Sequence, residues 1–449
     1  MWVLPQYLRF LCSTQLYNSK SFEKPPTMSE WARFRMYARR VRTLRNSGVR
    51  DIMAPEVYSV LQLCAINEPL FPNLRKLALS FVATGFIPFI PLFLSPGITA
   101  IIISFAKPNP NKVVVASIFA TFPTLCPNLQ EISLHSLPRD PVVNIAVSRM
   151  LLASNRDALR ILRVDFPLTE EAREAIYKLP NLRHLTVVIE RGTPLPTLVL
   201  PSLISIHIEY EYDRDWLKGF HGATLGKLET IFFDSRSEQI GDSLGEFERV
   251  ALTASIQNTL SMLCFDISPS WRPNYRSLLP FTHMTWLRIG FSCGGICSST
   301  VDDDVIAALA RAMPKLETLK LGGPPCHEIP TGVTAKGLVV LAHHCQNLCT
   351  LRIHFQVASL CVPPVTVEVA SNTASTAPRR DCALTYLEVG EILVPDESVL
   401  MVALTLALIF PHVNYVNSRN EKWEKVVDAL QLSRKIVDCS SKDRSLHTP

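Results

Sequence analysis

One short pattern of apolar and polar residues recurs along the chain. It reads Pro-Asn-Leu-x-x-Leu-x-Leu, with other apolar residues at the last two leucine positions, and it occurs at 72–79, 127–134 and 180–187. Later segments change the first two residues but keep the apolar spacing, as in Pro314-Lys315-Leu316 and Gln346-Asn347-Leu348. The alternation that ends each phrase predicts a strand with one buried face and one open face.

The first apolar position of this phrase marks the start of each repeat. The starts are Val41, Leu74, Ile98, Leu129, Leu159, Leu182, Leu203, Leu228, Leu260, Met284, Leu316, Leu348, Leu384 and Val413. Their separation varies from 21 residues, between Leu182 and Leu203, to 36 residues, between Leu348 and Leu384. Such lengths suit one strand and one return segment of a repeat protein.

Between the strands the apolar spacing becomes helical. Val305, Ile306, Leu309 and Ala312 recur at intervals of one turn, and the acidic run 302–304 precedes them. Carboxylates are favourable at a helix N-terminus, so a helix is predicted to begin there. A strand followed by a helix about a dozen times predicts an α/β leucine-rich-repeat solenoid, a curved stack with its strands on the concave face.

The pattern also suggests the domain boundaries. Residues 1–27 show no clear pattern, and the solenoid is expected over 28–419. Within it, 361–380 is rich in proline, serine and threonine and is expected to be an insertion loop. Residues 420–449 are expected to form a capping helix and a tail. The apolar positions of that helix are Trp423, Val426, Val427 and Leu430.

The charge is concentrated at one place. The chain has 449 residues, 47% of them hydrophobic, and a net charge of +5, which excludes an intrinsically disordered protein. Seven arginines lie between Met28 and Arg50 with Glu30 as the one acid, so the remaining chain is almost neutral. This basic segment is read as the solvated face of a helix in preference to a phosphate-binding or localisation patch. No nucleic-acid partner is predicted.

Two apolar stretches do not suit a membrane span. Residues 81–104 contain three prolines, and 399–410 is too short. The twelve cysteines are irregularly spaced and favour a reducing compartment. The sequence therefore predicts a protein of the cytoplasm or nucleus with no membrane partner.

The basic segment carries a resemblance to a known family. It contains Trp31-Ala32-Arg33-Phe34, followed by Tyr37-Ala38, Val41 and Leu44. It resembles the Trp-x-Arg-Phe-x-x-Tyr-Ala-x-x-Val-x-x-Leu segment that opens the repeat region of a large fungal family of F-box proteins with leucine-rich repeats. The Pro-Asn-Leu phrases and the closing 410–413 segment are similar to that family too, so the resemblance extends from about residue 28 to the end.

The resemblance implies a non-catalytic substrate receptor of an SCF-type ubiquitin ligase. In that family an F-box, which begins with Leu-Pro-x-Glu, docks the adaptor of the cullin–RING ligase. Residues 1–27 contain no such phrase, and Val3-Leu4-Pro5-Gln6 resembles it only weakly. The adaptor is therefore expected as a partner only if an F-box exists. The alternative is a free-standing leucine-rich-repeat scaffold with no ubiquitin-ligase role.

A candidate binding site follows from the open strand positions. The fifth place of successive phrases is occupied by Arg288, Lys320 and Arg352, which would form a basic ladder on the concave face. The full predicted set is Trp286, Arg288, Lys320, Arg352, His354, Tyr386 and Glu388. Arginines beside aromatic rings suit an acidic or phosphorylated peptide of a partner protein. The alternative is an ordinary polar strand surface.

Metal and catalytic chemistry are not predicted. Cys293 and Cys297, Cys326-His327, and the group His343, His344, Cys345 and Cys349 have spacings that could suggest zinc. The positions of these cysteines within the repeats favour buried apolar side chains instead. The sequence contains no phosphate-binding loop and no nucleophile elbow. No cofactor, metal or catalytic residue is therefore predicted, and an enzyme is not expected.

Overall fold

The computed structural model describes residues 2–3, 26–46, 55–65, 68–82, 84–106, 111–154, 156–190, 197–210, 220, 223–235, 256–267, 274–291, 301–322, 332–361, 382–390, 392–418 and 420–432. The chain divides into two compact units. Unit 1 comprises residues 1–209 and 223–225, and unit 2 comprises residues 210–222 and 226–449.

Unit 1 is a ladder of parallel strands. The strands are β1 (Trp2–Val3), β2 (Thr43–Asn46), β3 (Lys76–Val82), β4 (Ala100–Phe105), β5 (Glu131–His135), β6 (Ile161–Pro167), β7 (His184–Ile189) and β8 (Ser205–Tyr210). From β1 to β7 each strand pairs in parallel with the next along the chain. The helices are α1 (Met28–Ala38), α2 (Pro55–Cys64), α3 (Lys112–Leu125), α4 (Pro141–Ala153) and α5 (Glu170–Ile176).

Unit 2 repeats the same plan. Its strands are β9 (Thr230–Ser235), β10 (Met262–Ile267), β11 (Trp286–Phe291), β12 (Thr318–Leu321), β13 (Thr350–Arg352), β14 (Tyr386–Gly390) and β15 (Tyr415–Ser418). Neighbours along the chain again pair in parallel. The helices are α6 (Asp303–Ala312), α7 (Ala335–His344), α8 (Val399–Ile409) and α9 (422–432).

The predicted repeat starts are confirmed. Strands β2 to β15 each begin two residues after one of the fourteen marked positions, including the irregular repeats that start at Ile98, Leu260 and Val413. The cause is visible in β12, where Leu319 and Leu321 are buried while Thr318 and Lys320 are half-buried. Inward side chains pack against the return segments, and the intervening positions face away from this core.

The asparagine of the Pro-Asn-Leu phrase ties each repeat to the one before. The amide of Asn73 donates to the Arg39 carbonyl (2.7 Å), that of Asn128 to Pro96 (3.3 Å), and that of Asn181 to Asp157 (2.9 Å). These carbonyls lie in the turns that precede the neighbouring strands, beyond the reach of the strand ladder. The phrase therefore recurs because its amide satisfies a backbone acceptor that the sheet does not.

Replacing Asn181 by alanine is expected to lower the free energy of unfolding by about 1 kcal/mol, because it removes one hydrogen bond to a backbone carbonyl. Urea unfolding followed by circular dichroism measures the change. Asn347→Ala is the matched control, since Asn347 occupies the same place in its phrase but its amide bonds to no other residue in the described ranges. Equal effects of the two substitutions would contradict this role.

The return segments are less uniform than the expected strand-and-helix alternation. The segment between β3 and β4 is a 3₁₀ helix, Thr84–Phe93, with Pro88 and Pro91 inside it. Prolines remove backbone donors and clash with the preceding turn, and two of them within four residues strongly disfavour an α-helix there. Other short 3₁₀ segments are Arg156–Ala158, Tyr275–Leu278, Val357–Leu360 and Asp396–Ser398. The return segments are therefore 3₁₀ helices at these places and α-helices at others.

The first part of the basic segment forms α1. Phe34, Ala38 and Val41 are buried, and the exposed arginines include Arg33 and Arg39. Arg35 is an exception, because its guanidinium pairs with Glu68. Within α1 the solvated face is thus confirmed for Arg33, whereas Arg39, Arg40 and Arg42 follow the helix and Arg45 lies on β2.

The C-terminal segment is described as far as α9. Trp423, Val426 and Leu430 are buried in it, and Val427 is half-buried. Its capping role stays a prediction, as do the proposed boundaries. Most of the expected insertion loop (362–380), residues 4–25 and residues 433–449 lie outside the described residues. Within the described ranges, no helix is long and apolar enough to cross a bilayer.

Candidate functional site: the outward strand face of unit 2

The strand register of unit 2 brings most of the predicted site residues together. Arg288 lies opposite Lys320, Lys320 opposite Arg352, and Arg352 opposite Glu388. Trp286 and Tyr386 lie two positions earlier on β11 and β14. Adjacent strands are about 4.8 Å apart, so the charged side chains form successive rungs of one column.

We call this surface the outward face. It consists of the alternate positions of β9 to β15 that point away from the core: Thr230, Phe232, Met262, Cys264, Trp286, Arg288, Thr318, Lys320, Thr350, Arg352, Tyr386, Glu388, Tyr415 and Asn417. The inward neighbours Leu287, Leu319 and Leu351 are fully buried. Most outward residues stay partly accessible and can contact another molecule.

The basic column is largely neutralised within the protein. Glu388 approaches both Lys320 (3.8 Å) and Arg352 (3.6 Å), and Asp266 pairs with Arg288 at 2.9 Å. Three cations therefore face these two carboxylates, and a third carboxylate, Asp234, lies opposite Asp266 on β9. The basic column that the sequence predicts is thus part of an ion-pair network with no positive excess.

Asp266 is a member of this network that the sequence analysis missed. It lies on β10 two positions beyond Cys264, so it points to the same side of the sheet. Gly290 lies opposite it on β11, and a methyl group at Gly290 would collide with the Asp266 carboxylate. The glycine leaves room for that carboxylate to reach Arg288. Asp266 occupies the seventh place of its phrase, so including the outward residues at that place in the sequence analysis would have found it.

His354 lies at the edge of this network. It follows β13, two residues beyond Arg352, and is half-buried. Its ring lies about 3.3 Å from the position that a methyl group on Gly322 would occupy. Gly322 has a φ of 103°, a conformation that favours glycine, so the chain turns away there and leaves space for the imidazole.

Aromatic rings stand at both ends of the charged column. Trp286 packs against Phe232 with ring centroids 6.0 Å apart. Tyr386 stacks on Tyr415 at 5.1 Å, and Asn417 donates to the Tyr386 hydroxyl at 3.0 Å. Tyr415 is 54% exposed, and the sequence analysis did not include it in the site. Exposed aromatic rings beside charged groups are the usual anchors of a protein interface.

Cys264 does not supply a nucleophile on this face. Burial, together with the nearby Asp266 carboxylate, raises the pKa of its thiol to about 12, although Arg288 opposes the shift. The thiol therefore stays protonated at neutral pH and is a weak nucleophile.

The possible zinc ligands do not form a cluster in the described ranges, where no three metal-binding side chains come together. Cys345 is fully buried, and its thiol points to the carbonyls of Ala310 (3.8 Å) and Met313 (3.6 Å). Burial raises its pKa to about 12. It is thus the buried apolar cysteine that its position within the repeat favours. Cys293, Cys297 and Cys326-His327 lie outside the described residues.

Comparison with known proteins adds little. No family model matches the sequence, and no curated protein matches it. Among solved structures the chain is similar to one from the crystal structure of the Rad7 and Elc1 complex in yeast. The TM-score is 0.38 at 16% sequence identity, over 65% of this chain and 80% of that chain. A similarity at this level does not establish the function of this chain.

Proposed function

We propose that the chain is a leucine-rich-repeat protein that binds a partner protein on the outward face of unit 2 and has no catalytic activity of its own. The observation that carries this proposal is the shared register of the outward face. Seven parallel strands present two aromatic pairs and an ion-pair network side by side. The opposite positions of the strands are occupied by the core.

The ion pairs refine the expected partner. An acidic or phosphorylated peptide would have to compete with Glu388 for Lys320 and Arg352, and these two cations are the less exposed ones. Arg288 is also paired, with Asp266 at 2.9 Å, but it is the most accessible of the three cations, with 40% of its side chain exposed, and it lies beside Trp286. A partner with an apolar anchor for Trp286 and one carboxylate or phosphate for Arg288 therefore suits the face best.

A photo-crosslinking residue placed at Lys320 should identify the partner in cells. The same residue at Lys76 is the matched control, because Lys76 lies at a strand position of unit 1 and also pairs with a carboxylate, Glu131 (2.9 Å). A product that forms from Lys320 and not from Lys76 supports the proposal. Equal products from both positions, or none from Lys320, would count against it.

With the partner in hand, the triple variant Arg288→Glu, Lys320→Glu and Arg352→Glu is expected to bind at least about tenfold more weakly, since charge reversal leaves like charges on the face. Trp286→Ala should weaken binding similarly without new repulsion. The double variant Lys76→Glu and Arg163→Glu disrupts an equivalent cation pair around Glu131 in unit 1 and should bind normally. Unchanged binding by the first two variants in a calorimetric titration refutes the assignment.

We further propose that this binding serves substrate recognition in an SCF-type ubiquitin ligase. The α1 segment, which resembles the opening motif of fungal F-box proteins with leucine-rich repeats, supports this role. This role requires an F-box, so co-purification of the native protein with the cullin–RING adaptor is the expected result where the protein carries one. Partner binding without the adaptor would favour a free-standing scaffold instead.

A further inference from the structure

A polar pocket lies at the edge of unit 1 where strands β6, β7 and β8 begin. It has a volume of about 350 Å³ and is lined by Gln130, Asp157, Arg160, Asn181, Arg183 and Ser202, together with the small Ala158. The pocket is formed by the turns between repeats, and it shares no residue with the outward face of unit 2.

The repeat places two arginines on consecutive rungs of this edge. Arg160 and Arg183 occupy the second place of their phrases, directly after Leu159 and Leu182. The backbone amide of Arg160 donates to Gln130 (2.8 Å), and that of Arg183 donates to Arg160 (2.7 Å). The two arginines therefore project from the starts of neighbouring strands, and these strands lie about 4.8 Å apart.

These guanidinium groups differ from their equivalents in earlier repeats. Arg42 and Arg75 occupy the same place, and their side chains donate to the carbonyls of Asn73 (3.4 Å) and Gly97 (3.2 Å). Arg160 and Arg183 are exposed, and neither side chain forms a hydrogen bond or an ion pair with any residue that the structure describes. Two adjacent cations are thus left available at the pocket.

The remaining lining residues complete a donor-rich pocket. Ser202 and Gln130 carry further hydrogen-bond donors. The Asn181 amide is already used, because it donates to the Asp157 carbonyl and fixes that turn. Asp157 contributes the one carboxylate among the lining residues, so two cations outweigh a single acid.

We propose that this pocket binds a single phosphate group through Arg160 and Arg183. Guanidinium groups are planar forks that bind phosphate oxygens in pairs, and two of them from adjacent strands can hold one phosphate group between them. The site suits a single group and not a nucleic-acid backbone. A backbone needs a continued row of cations, whereas the preceding rungs carry Thr99 and Gln130 and the following rung carries Ile204.

The same chemistry has two sources, a free phosphate and a phosphorylated side chain of a protein. Isothermal titration of the full chain in low-salt, phosphate-free buffer distinguishes them. The probes are inorganic phosphate, a blocked Ala-phosphoserine-Ala peptide and its unphosphorylated form. Saturable binding of inorganic phosphate or of the phosphoserine peptide supports the proposed site. Tighter binding of the peptide assigns the protein source, and equal or tighter binding of inorganic phosphate assigns the free ion.

Substitutions locate the binding. Arg160→Gln and Arg183→Gln should each weaken binding about tenfold, because each removes a charge-assisted pair of hydrogen bonds. Arg75→Gln is the matched control, at the same place in its phrase but outside the pocket, and should bind as the wild type does. Circular dichroism shows that each variant is folded.

The proposal is overturned if neither phosphorylated probe binds saturably, or if Arg75→Gln weakens binding as much as Arg160→Gln and Arg183→Gln. These outcomes do not depend on the proposed function. The partner-binding face lies in unit 2, and its variants leave all the lining residues of the pocket intact.

Discussion

Replacing Asp303 by alanine is expected to lower the free energy of unfolding by about 3 kcal/mol, because the carboxylate accepts three hydrogen bonds of roughly 1 kcal/mol each. Its Oδ1 accepts from the backbone amides of Thr334 (2.8 Å) and Gly337 (3.0 Å), and its Oδ2 accepts from the Thr334 hydroxyl (2.6 Å). Thr334 is the N-cap of α7. One side chain of α6 thus secures the start of the next helix.

The acidic run provides its own controls for this prediction. Asp302 caps α6 by accepting from the Val305 amide at 2.8 Å, so Asp302→Ala should cost about 1 kcal/mol. Asp304 is exposed and contributes through the helix dipole, so Asp304→Ala should cost a few tenths, about 0.3 kcal/mol. Urea unfolding should rank the three substitutions in the order 303, 302, 304. A loss at Asp304 equal to that at Asp303 would refute the specific role of Asp303.

Gly337 gives an independent test of the same contact. A methyl group at this position would collide with the Asp303 carboxylate. Alanine normally favours a helix over glycine by about 1 kcal/mol. Gly337→Ala is nevertheless expected to destabilise the protein, and it should do so less in the Asp303→Ala background. Non-additivity in this double-mutant cycle measures the coupling.

The role of Asp303 shows where sequence reasoning stops. The acidic run correctly predicts a capped helix at 302–304, because capping depends on residues three positions apart. The contact of Asp303 with Thr334 and Gly337 joins residues more than thirty positions apart. It depends on how two return segments pack, and apolar spacing carries no information on that.

The same distinction holds for the outward face. The columns of side chains on this face could be predicted. Each parallel strand begins at the same place in its phrase, so residues at equal places lie opposite each other, as Arg288, Lys320 and Arg352 do. The charge state of the face could not, because it depends on side chains that cross between rungs. Glu388 extends over two strands to Lys320, and Asp266 reaches Arg288 past Gly290.

The outward face of unit 2 and the polar pocket of unit 1 differ in whether their cations are paired with carboxylates. In unit 2 the cations of the outward face pair with carboxylates on other strands of that face, whereas Arg160 and Arg183 in unit 1 lie on the edge where the strands begin. A composition near neutrality conceals both arrangements. Only the partners of each cation show which of them is available to bind an anion.

Replacing Trp423 by alanine is expected to lower the free energy of unfolding by about 3–5 kcal/mol, the usual cost of removing a large buried aromatic side chain. Trp423 is 1% exposed and lies at the start of α9. Its indole Nε1 donates to the Ile392 carbonyl at 2.8 Å, and its ring meets that of Phe355 edge to face, with centroids 6.2 Å apart. The side chain thus joins α9 to the segments that follow β13 and β14.

Two further variants separate the contributions of Trp423. Trp423→Phe keeps most of the apolar volume but leaves the Ile392 carbonyl without its donor, so it should cost about 1–2 kcal/mol beyond the lost volume. Lys425→Ala changes an exposed residue of α9 that pairs with Asp396 at 3.4 Å and should cost less than about 1 kcal/mol. Urea unfolding monitored by circular dichroism gives all three values. Trp423→Ala would have to lower the free energy of unfolding no more than Lys425→Ala does for the tryptophan not to anchor α9 to the rest of unit 2. That result would refute the capping role predicted for residues 420–449.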